Sequence, residues 1–386
     1  MHLVCRALFG LALGCILSVT ALADVGFDFS CTHIDVGNLF NDSTDITDAY
    51  TTASSTIFYY PHPKTEITFN NNYAYYRDRL YLGYFSSGGG VTYIPTSEGA
   101  KFPLYFSTNF TGMLYRQGMA DFNNNTFDIT ASAGYAFNES ARTRIGLSYK
   151  STLYTRSESS DQESFEMSLG GNFRLFGSNV VDLELGYAFA NFDFIYPTDT
   201  IFPKIGWPPR ITPDGRFYGF TDGQMKSFYF SPRYSRPIGP KTGLAITYTY
   251  REFFNTEDAV LLGITSGNIS AENLSPWSSV WQGRAVILML KTYVFPKMIV
   301  SGGIGYWNKI FLRTYYGEHG VDYFSQVTDR HDDKSKYYIS IQDPILTDSG
   351  VLVETTISAD YTNNTSSKPL YDYSGLSVSI GFRVHM

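Results

Sequence analysis

Along much of this chain the hydrophobic residues occupy every second position. The clearest stretch is the last one, where Leu376, Val378, Ile380, Phe382, Val384 and Met386 alternate with Ser377, Ser379, Gly381, Arg383 and His385. A strand sends successive side chains to opposite faces, so this spacing predicts one wholly apolar face and one polar face carrying charge. The same rule holds from Phe127 to Phe137, Ile145 to Leu153, Phe165 to Leu175 and Val181 to Phe189. A strand the length of Phe127 to Phe137, tilted near 40°, rises roughly 28 Å, the height of the apolar band of an outer membrane.

Further strands are expected near Thr65 to Tyr75, Arg79 to Phe85, Phe102 to Tyr115, Phe228 to Tyr234, Gly243 to Phe254 and Gln282 to Val294. Others fall near Met298 to Tyr315, Lys336 to Ile341, Val351 to Tyr361 and Tyr373 to Val384. The total is about 14, with 12 to 16 allowed because element boundaries are the least determined feature of such a reading. Connections alternate in length. Short turns fall at Asn138 to Ser140, Gly177 to Asn179, Pro237 to Lys241, Pro296-Lys297 and Thr347 to Gly350. Longer loops fall at Arg156 to Glu163, Pro197 to Gly223, Asn255 to Val280, Tyr316 to Ser335 and Thr362 to Asp372. Short turns at one end and long loops at the other are what an antiparallel up-and-down transmembrane barrel requires. In its final strand the chain resembles bacterial outer-membrane β-barrels, whose last strand carries such an alternation as a signal to the barrel-assembly machinery. It departs from them in ending on Met386 where they usually end in Phe.

Composition fits an all-β membrane wall. Aromatic residues make up 17% of the 386 residues and charged residues only 17%, below the share of about 25% in soluble domains. No uninterrupted apolar run beyond the N-terminus approaches the 18 or more residues of a membrane-spanning helix. The formal charge of −7 with scattered Lys and Arg argues against a nucleic-acid surface. Residues 1–23 read as a signal peptide: Arg6, an apolar stretch from Ala7 to Val19, then Ala21-Leu22-Ala23. A lipoprotein reading through Leu13-Gly14-Cys15 competes with it, but would leave an apolar Ile16 to Ala23 on the mature chain. Cleavage after Ala23 leaves Cys31 alone, so no intrachain disulfide is expected. Residues 24–63 fit the pattern less well and are open to three readings: a periplasmic extension, a plug or one further strand pair. Residues 64–386 are assigned to the barrel.

Candidate chemistry lies on the polar faces. There Arg144, Lys150, Arg174, Arg233, Arg251, Lys291, Lys309, Arg313 and Arg383 stand against Asp128, Glu166, Asp182, Glu184, Glu354 and Asp360, nine basic to six acidic. In a water-filled barrel they line a pore and set its selectivity; in a narrow one they pair and fill it. Phe202, Ile205 and Trp207, in a proline-rich loop, and Leu261 and Leu262, in an apolar one, are candidates for an inward constriction, or for a cap. His331, Asp332 and Asp333, with Glu318, His319 and Asp322, raise an acid–base or metal reading in the outer loops, against which stands a solvated loop tip.

The expectation is therefore a non-enzymatic channel or facilitator in the bacterial outer membrane, passing small polar or amphipathic solutes with a weak preference for anions. It has no cofactor or metal, and its partners are membrane lipid, the assembly machinery and an unspecified solute, not nucleic acid. The alternatives are a non-conducting surface-binding or structural barrel, and a barrel hydrolase.

Overall fold

The computed structural model describes residues 25–38, 47–97, 99–116, 120, 123–155, 161–192, 223–254, 281–295, 297–314, 328–347, 350–367 and 369–386. The strands, in chain order, are β1 Val25–Val36, β2 Asp48–His62, β3 Thr65–Tyr76, β4 Tyr84–Tyr93, β5 Leu104–Tyr115 and β6 Asn124–Asn138. Then come β7 Ala141–Tyr154, β8 Gln162–Arg174, β9 Val180–Phe192, β10 Gly223–Phe230, β11 Arg233–Pro237 and β12 Thr242–Phe253. The last are β13 Gln282–Tyr293, β14 Ile299–Thr314, β15 Thr328–Leu346, β16 Leu352–Ser366 and β17 Tyr373–His385.

Apart from β10 and β11, each strand pairs antiparallel with its neighbours in sequence, and β1 pairs with β17, so the sheet closes on itself. At the closure Phe27 and Met386 exchange backbone hydrogen bonds of 3.1 and 2.9 Å. Closure leaves no unpaired edge, which is the condition for β-structure to exist in hydrocarbon. Both β10 and β11 lie between β9 and β12. Between them Ser231 and Glu184 exchange backbone hydrogen bonds, and Pro232, which has no N–H to give, still accepts from Tyr248. The two segments are thus one strand interrupted at a proline, and the barrel has 16 strands.

This corrects the expected count of about 14. The additional pair is β1 and β2, where only a loose alternation of Val25, Phe27, Phe29 and Cys31 hinted at a strand. A second correction concerns Arg79 to Phe85: Leu80–Leu82 form a single 3-10 turn, and β4 begins at Tyr84 and runs on through Gly88-Gly89-Gly90. That run of glycine reads as a loop because it has no side chains to alternate. A third is that β15 starts at Thr328, inside what the pattern gives as a loop from Tyr316 to Ser335.

Directly opposed residues share a face, so the pairing registers carry the facing around the whole ring. Leu376, Val378 and Ile380 of β17 are about half exposed and look outward. The registers put Phe69, Phe110, Ile129, Leu147, Leu169, Leu288, Ile304, Ile339 and Ile357 on that same outer face. All are exposed apolar side chains, which is the wall that lipid covers.

Candidate functional site: the inner wall

Every described strand residue named above as a polar-face candidate falls on the inner face by register. Lys150 opposes Asp128 across β6 and β7, Arg233 opposes Asp182, and Arg383 opposes Glu354. Arg144 and Arg174 lie near the short-turn end of the same wall, and Lys291 near that end of β13. The side chain of Arg313, and the loop candidates Phe202, Ile205, Trp207, Leu261 and Leu262, lie outside the described residues, as do Glu318, His319 and Asp322.

The inner wall is densest along one hydrogen-bonded row. Reading across the strands it runs Ser168, Gly186, Tyr229, Arg251, Gly283, Lys309, Asp332, Ser366. Gly186 is flat, and a Cβ there would come within 2.0 Å of the Tyr229 ring, so the ring lies across the glycine. From that position the Tyr229 hydroxyl donates to Glu166 Oε1 at 2.9 Å and to Glu184 Oε1 at 3.1 Å. One phenol proton is shared between two carboxylates, which concentrates negative charge on β8 and β9.

On the other side of Tyr229 the sign changes. Arg251 is only 1% exposed and its guanidinium lies 4.5 Å from the centre of the Trp281 ring; Lys309 Nζ lies 5.4 Å from the same ring. Both cations reach one indole because Gly283, between them in the row, puts no side chain in the way; its φ of +133° and the 2.1 Å approach of Asn308 O reserve that place for glycine. A cation over an indole face is stabilised by the ring quadrupole, more strongly when desolvated. Trp281 packs with Ala285, Trp307 and Ile287, so the ring is fixed by its apolar neighbours. Next along the row, Asp332 accepts from Ser366 Oγ at 2.6 Å, and Lys334 lies 5.5 Å from the Tyr373 ring.

Three features of this wall were not singled out from the sequence. Tyr229, Trp281 and Trp307 look like ordinary barrel aromatics until register brings them to the charged row. Lys334 and Lys336 sit on the inner face of β15, where Lys336 pairs with Asp360 at 3.0 Å. Asp28 on β1 binds Arg383 across the closure, with Nε at 3.0 and 2.9 Å from its two oxygens. The described inner face then carries Arg142, Arg144, Lys150, Arg174, Arg233, Arg251, Lys291, Lys309, Lys334, Lys336 and Arg383. Against these 11 stand 10 acids: Asp28, Asp48, Glu66, Asp128, Glu166, Asp182, Glu184, Asp332, Glu354 and Asp360. The basic surplus of three read from the sequence narrows to one.

The wall is uneven. On β2 to β5 the inner side chains around Ser54, Asn72, Ser86 and Ser107 are uncharged, with Ser30 and Ser54 hydroxyls 2.7 Å apart and Asn72 donating to Ser86 at 3.2 Å. Most of the charge is gathered on β6 to β9 and β11 to β17.

The acid–base reading of His331, Asp332 and Asp333 does not hold as a loop site. These residues continue β15 and pair with Ile310, Lys309 and Asn308. Asp332 points into the barrel, while Asp333 on the outer face accepts from Tyr306 at 2.7 Å and Asn308 at 2.9 Å. Neighbouring residues on a strand face opposite ways, so the two carboxylates do not share one site. Among the described residues no three metal-ligating side chains converge.

No protein-family profile matches the chain and no curated protein is similar to it in sequence. Solved structures with the same fold include CdiB from Acinetobacter baumannii, at TM-score 0.53 and 10% identity, matched over 94% of this chain and 60% of that one. They also include Acinetobacter baumannii OccAB1, at TM-score 0.48 and 8% identity over 94% and 96%, and Pseudomonas aeruginosa OccK8 (OprE), at TM-score 0.48 and 11% identity over 94% and 98%. At these identities the likeness is one of fold alone: a closed β-barrel.

Proposed function

We propose that this protein is a channel of the bacterial outer membrane, passing small polar or amphipathic solutes, and that its export and insertion use a cleaved signal peptide and the barrel-assembly machinery. The observation that carries this reading is a closed barrel of 16 strands whose inner face is polar and charged while its outer face is apolar. Barrels of 16 to 18 strands leave an aqueous passage, whereas barrels of about eight are filled by their own side chains.

The row from Glu166 and Glu184 to Arg251 and Lys309 supplies the selectivity. A solute passing it meets carboxylates on one side and cations over an indole on the other, so a polar molecule is oriented as it moves. Arg251 and Lys309 are buried in the wall, where few waters screen them, and the preference for anions is assigned to them and to Lys334.

Conductance of the refolded protein in a planar bilayer tests the reading. Stepwise current increments are expected on insertion. A correctly folded barrel that inserts and carries no current would overturn it in favour of a non-conducting surface barrel.

A further inference from the structure

Five tyrosines face the lumen at the end of the barrel opposite the short turns. Tyr50 lies near the start of β2, Tyr76 closes β3, Tyr84 opens β4, Tyr115 closes β5 and Tyr154 closes β7. Their inward facing follows from their strand neighbours Tyr75, Phe85, Leu114 and Leu153, which are exposed apolar side chains of the outer wall. By register Tyr50 opposes Tyr76, Tyr84 opposes Tyr115, and Tyr154 continues the arc beyond Asn124 of β6.

The rings hold one another. Tyr50 and Tyr76 stack with centroids 4.9 Å apart, and Tyr84 and Tyr115 meet tilted at 5.6 Å. The two pairs adjoin at Ala74, which opposes Tyr84 and precedes Tyr76 on the same face and is only 1% exposed. Elsewhere on the barrel tyrosine hydroxyls are committed to neighbours, Tyr229 to two glutamates, Tyr234 to Asn179 and Tyr306 to Asp333. Among the described residues the hydroxyls of Tyr50, Tyr76 and Tyr84 have no such partner. All three rings are half-buried, so each keeps part of its surface open.

Below the arc the inner wall of β2 to β5 carries hydroxyls and amides, among them Thr52, Ser54, Asn72, Ser86 and Asn109. Among the described residues no charge interrupts these four strands between the tyrosines and Glu66, near the short-turn end of β3. On β4 the inner positions after Ser86 are Gly88 and Gly90, where an added Cβ would clash with Thr111 Oγ1 and Asn109 Oδ1. The polar groups of β5 therefore lie across β4 and form the floor of the strip.

This strip is chemically unlike the rest of the wall. An ion gains little from it, because neutral dipoles replace its hydration poorly beside the charged groups facing the same lumen. A neutral molecule with many hydroxyls gains more. Its own groups both donate and accept, as those of Ser, Thr and Tyr do, and its C–H faces can lie on aromatic rings. Selectivity in a pore follows from the donors and acceptors that line it.

We propose that the inner face of β2 to β5 binds neutral polyhydroxylated solutes of the sugar class, which enter at the tyrosine arc and move along the hydroxyl and amide strip. This rests on the channel reading above and names one solute class for it. The charged row on the other strands then acts on ions, and the strip acts on sugars.

The test is the ion current through the refolded protein in a planar bilayer as sucrose is titrated. A saturable fall in current is expected, in contrast to a shallow, non-saturating fall with a polyethylene glycol of similar size. Tyr76→Leu with Tyr84→Leu should raise the half-blocking concentration about tenfold, since both rings and both hydroxyls are lost. Tyr76→Phe with Tyr84→Phe keeps the rings and should raise it about threefold, and this pair decides if the leucine variant fails to fold. Tyr75→Leu, on the outer face of the same strand, should leave it unchanged. A conducting channel without saturable block, block by the polyethylene glycol as strong as by sucrose, or an unchanged half-blocking concentration in the folded arc variants would each overturn this proposal and leave the channel reading standing. A folded barrel that carries no current would overturn the channel reading instead. Saturation transfer from the detergent-solubilised protein to the protons of sucrose still decides the binding strip in that case: transfer in the wild type that is lost in the arc variants upholds it, and no transfer overturns it.

Discussion

Arg383 grips both carboxylate oxygens of Asp28, and in doing so joins two residues separated by 355 positions at the seam where the first strand meets the last. The bond has a bidentate form, but the Arg383 side chain is 58% exposed, so water and salt screen it. Asp28→Asn is therefore expected to lower stability by only about 1 kcal/mol, and to do so less in the background of Arg383→Met, where the partner is already gone. Urea unfolding in lipid vesicles across the double-mutant cycle measures this. Strictly additive effects would mean that the pair is not coupled and that the seam rests on its backbone ladder alone.

A second prediction follows from facing. Leu169 looks outward and Ser168, its neighbour on β8, looks inward. Leu169→Arg should cost roughly 2–4 kcal/mol if the residue lies near the bilayer midplane, because a charge there must be buried in lipid, whereas Ser168→Arg stays in the polar interior. Folding into vesicles by urea titration distinguishes them. Equal losses would contradict the register of β8, since a slip of one residue exchanges the two faces.

How far the sequence alone reaches is shown by these same strands. β6 to β9 and β17 were legible because lipid demands an apolar residue at every outward position, and that demand writes a period of two into the chain. β1 and β2 were not, because their outward faces carry Cys31, His33, Thr51 and Ser55, which blur the period. β4 was displaced because Ser86, Ser87 and three glycines leave little to alternate. The inner face of each strand was readable for the same reason as the outer one. What the period cannot contain is register, the relative offset of neighbouring strands. Tyr229, Arg251, Lys309 and Asp332 become one row only through that offset, and Trp281, just ahead of β13, gains its meaning from the two cations it lies beneath.

The flatness of Gly186 supplies a third prediction. An added methyl group would overlap the Tyr229 ring, which must then swing away and lose both glutamate contacts. Gly186→Ala is expected to destabilise the barrel by about 1–3 kcal/mol, the usual cost of overpacking a filled site. Gly243→Ala has nothing within 4 Å of the added carbon and should be close to neutral. Tyr229→Phe keeps the ring over the glycine and removes only the hydroxyl. If Gly186→Ala were as stable as Gly243→Ala, the ring would not be held where the glycine permits it.

The sign of ion selectivity is the last prediction, and the overall charge of −7 points the wrong way for it. Charges beyond a Debye length of about 8 Å from a passing ion at physiological salt are largely screened, so it is the charges lining the path, not the total, that set the sign. On the wall the tally is nearly level, so the outcome rests on position. Many of the charges face a partner of opposite sign: Lys336 pairs with Asp360, Arg383 with Asp28, and Lys150 opposes Asp128. Lys309 likewise opposes Asp332, and what sets the ridge apart is position: Arg251 and Lys309 put two cations on one ring in reduced dielectric, where the field of a charge is strongest. Reversal potentials across a salt gradient should therefore show a weak preference for anions. Arg251→Gln with Lys309→Gln should move that potential toward cation selectivity further than Lys150→Gln with Arg174→Gln, whose side chains are exposed to water. Glu166→Gln with Glu184→Gln should move it the other way. A shift of equal size from the ridge and the exposed pair would show that only net charge matters, and a cation-selective native pore would mean that the carboxylates on β8 and β9, not the ridge, govern the narrowest point.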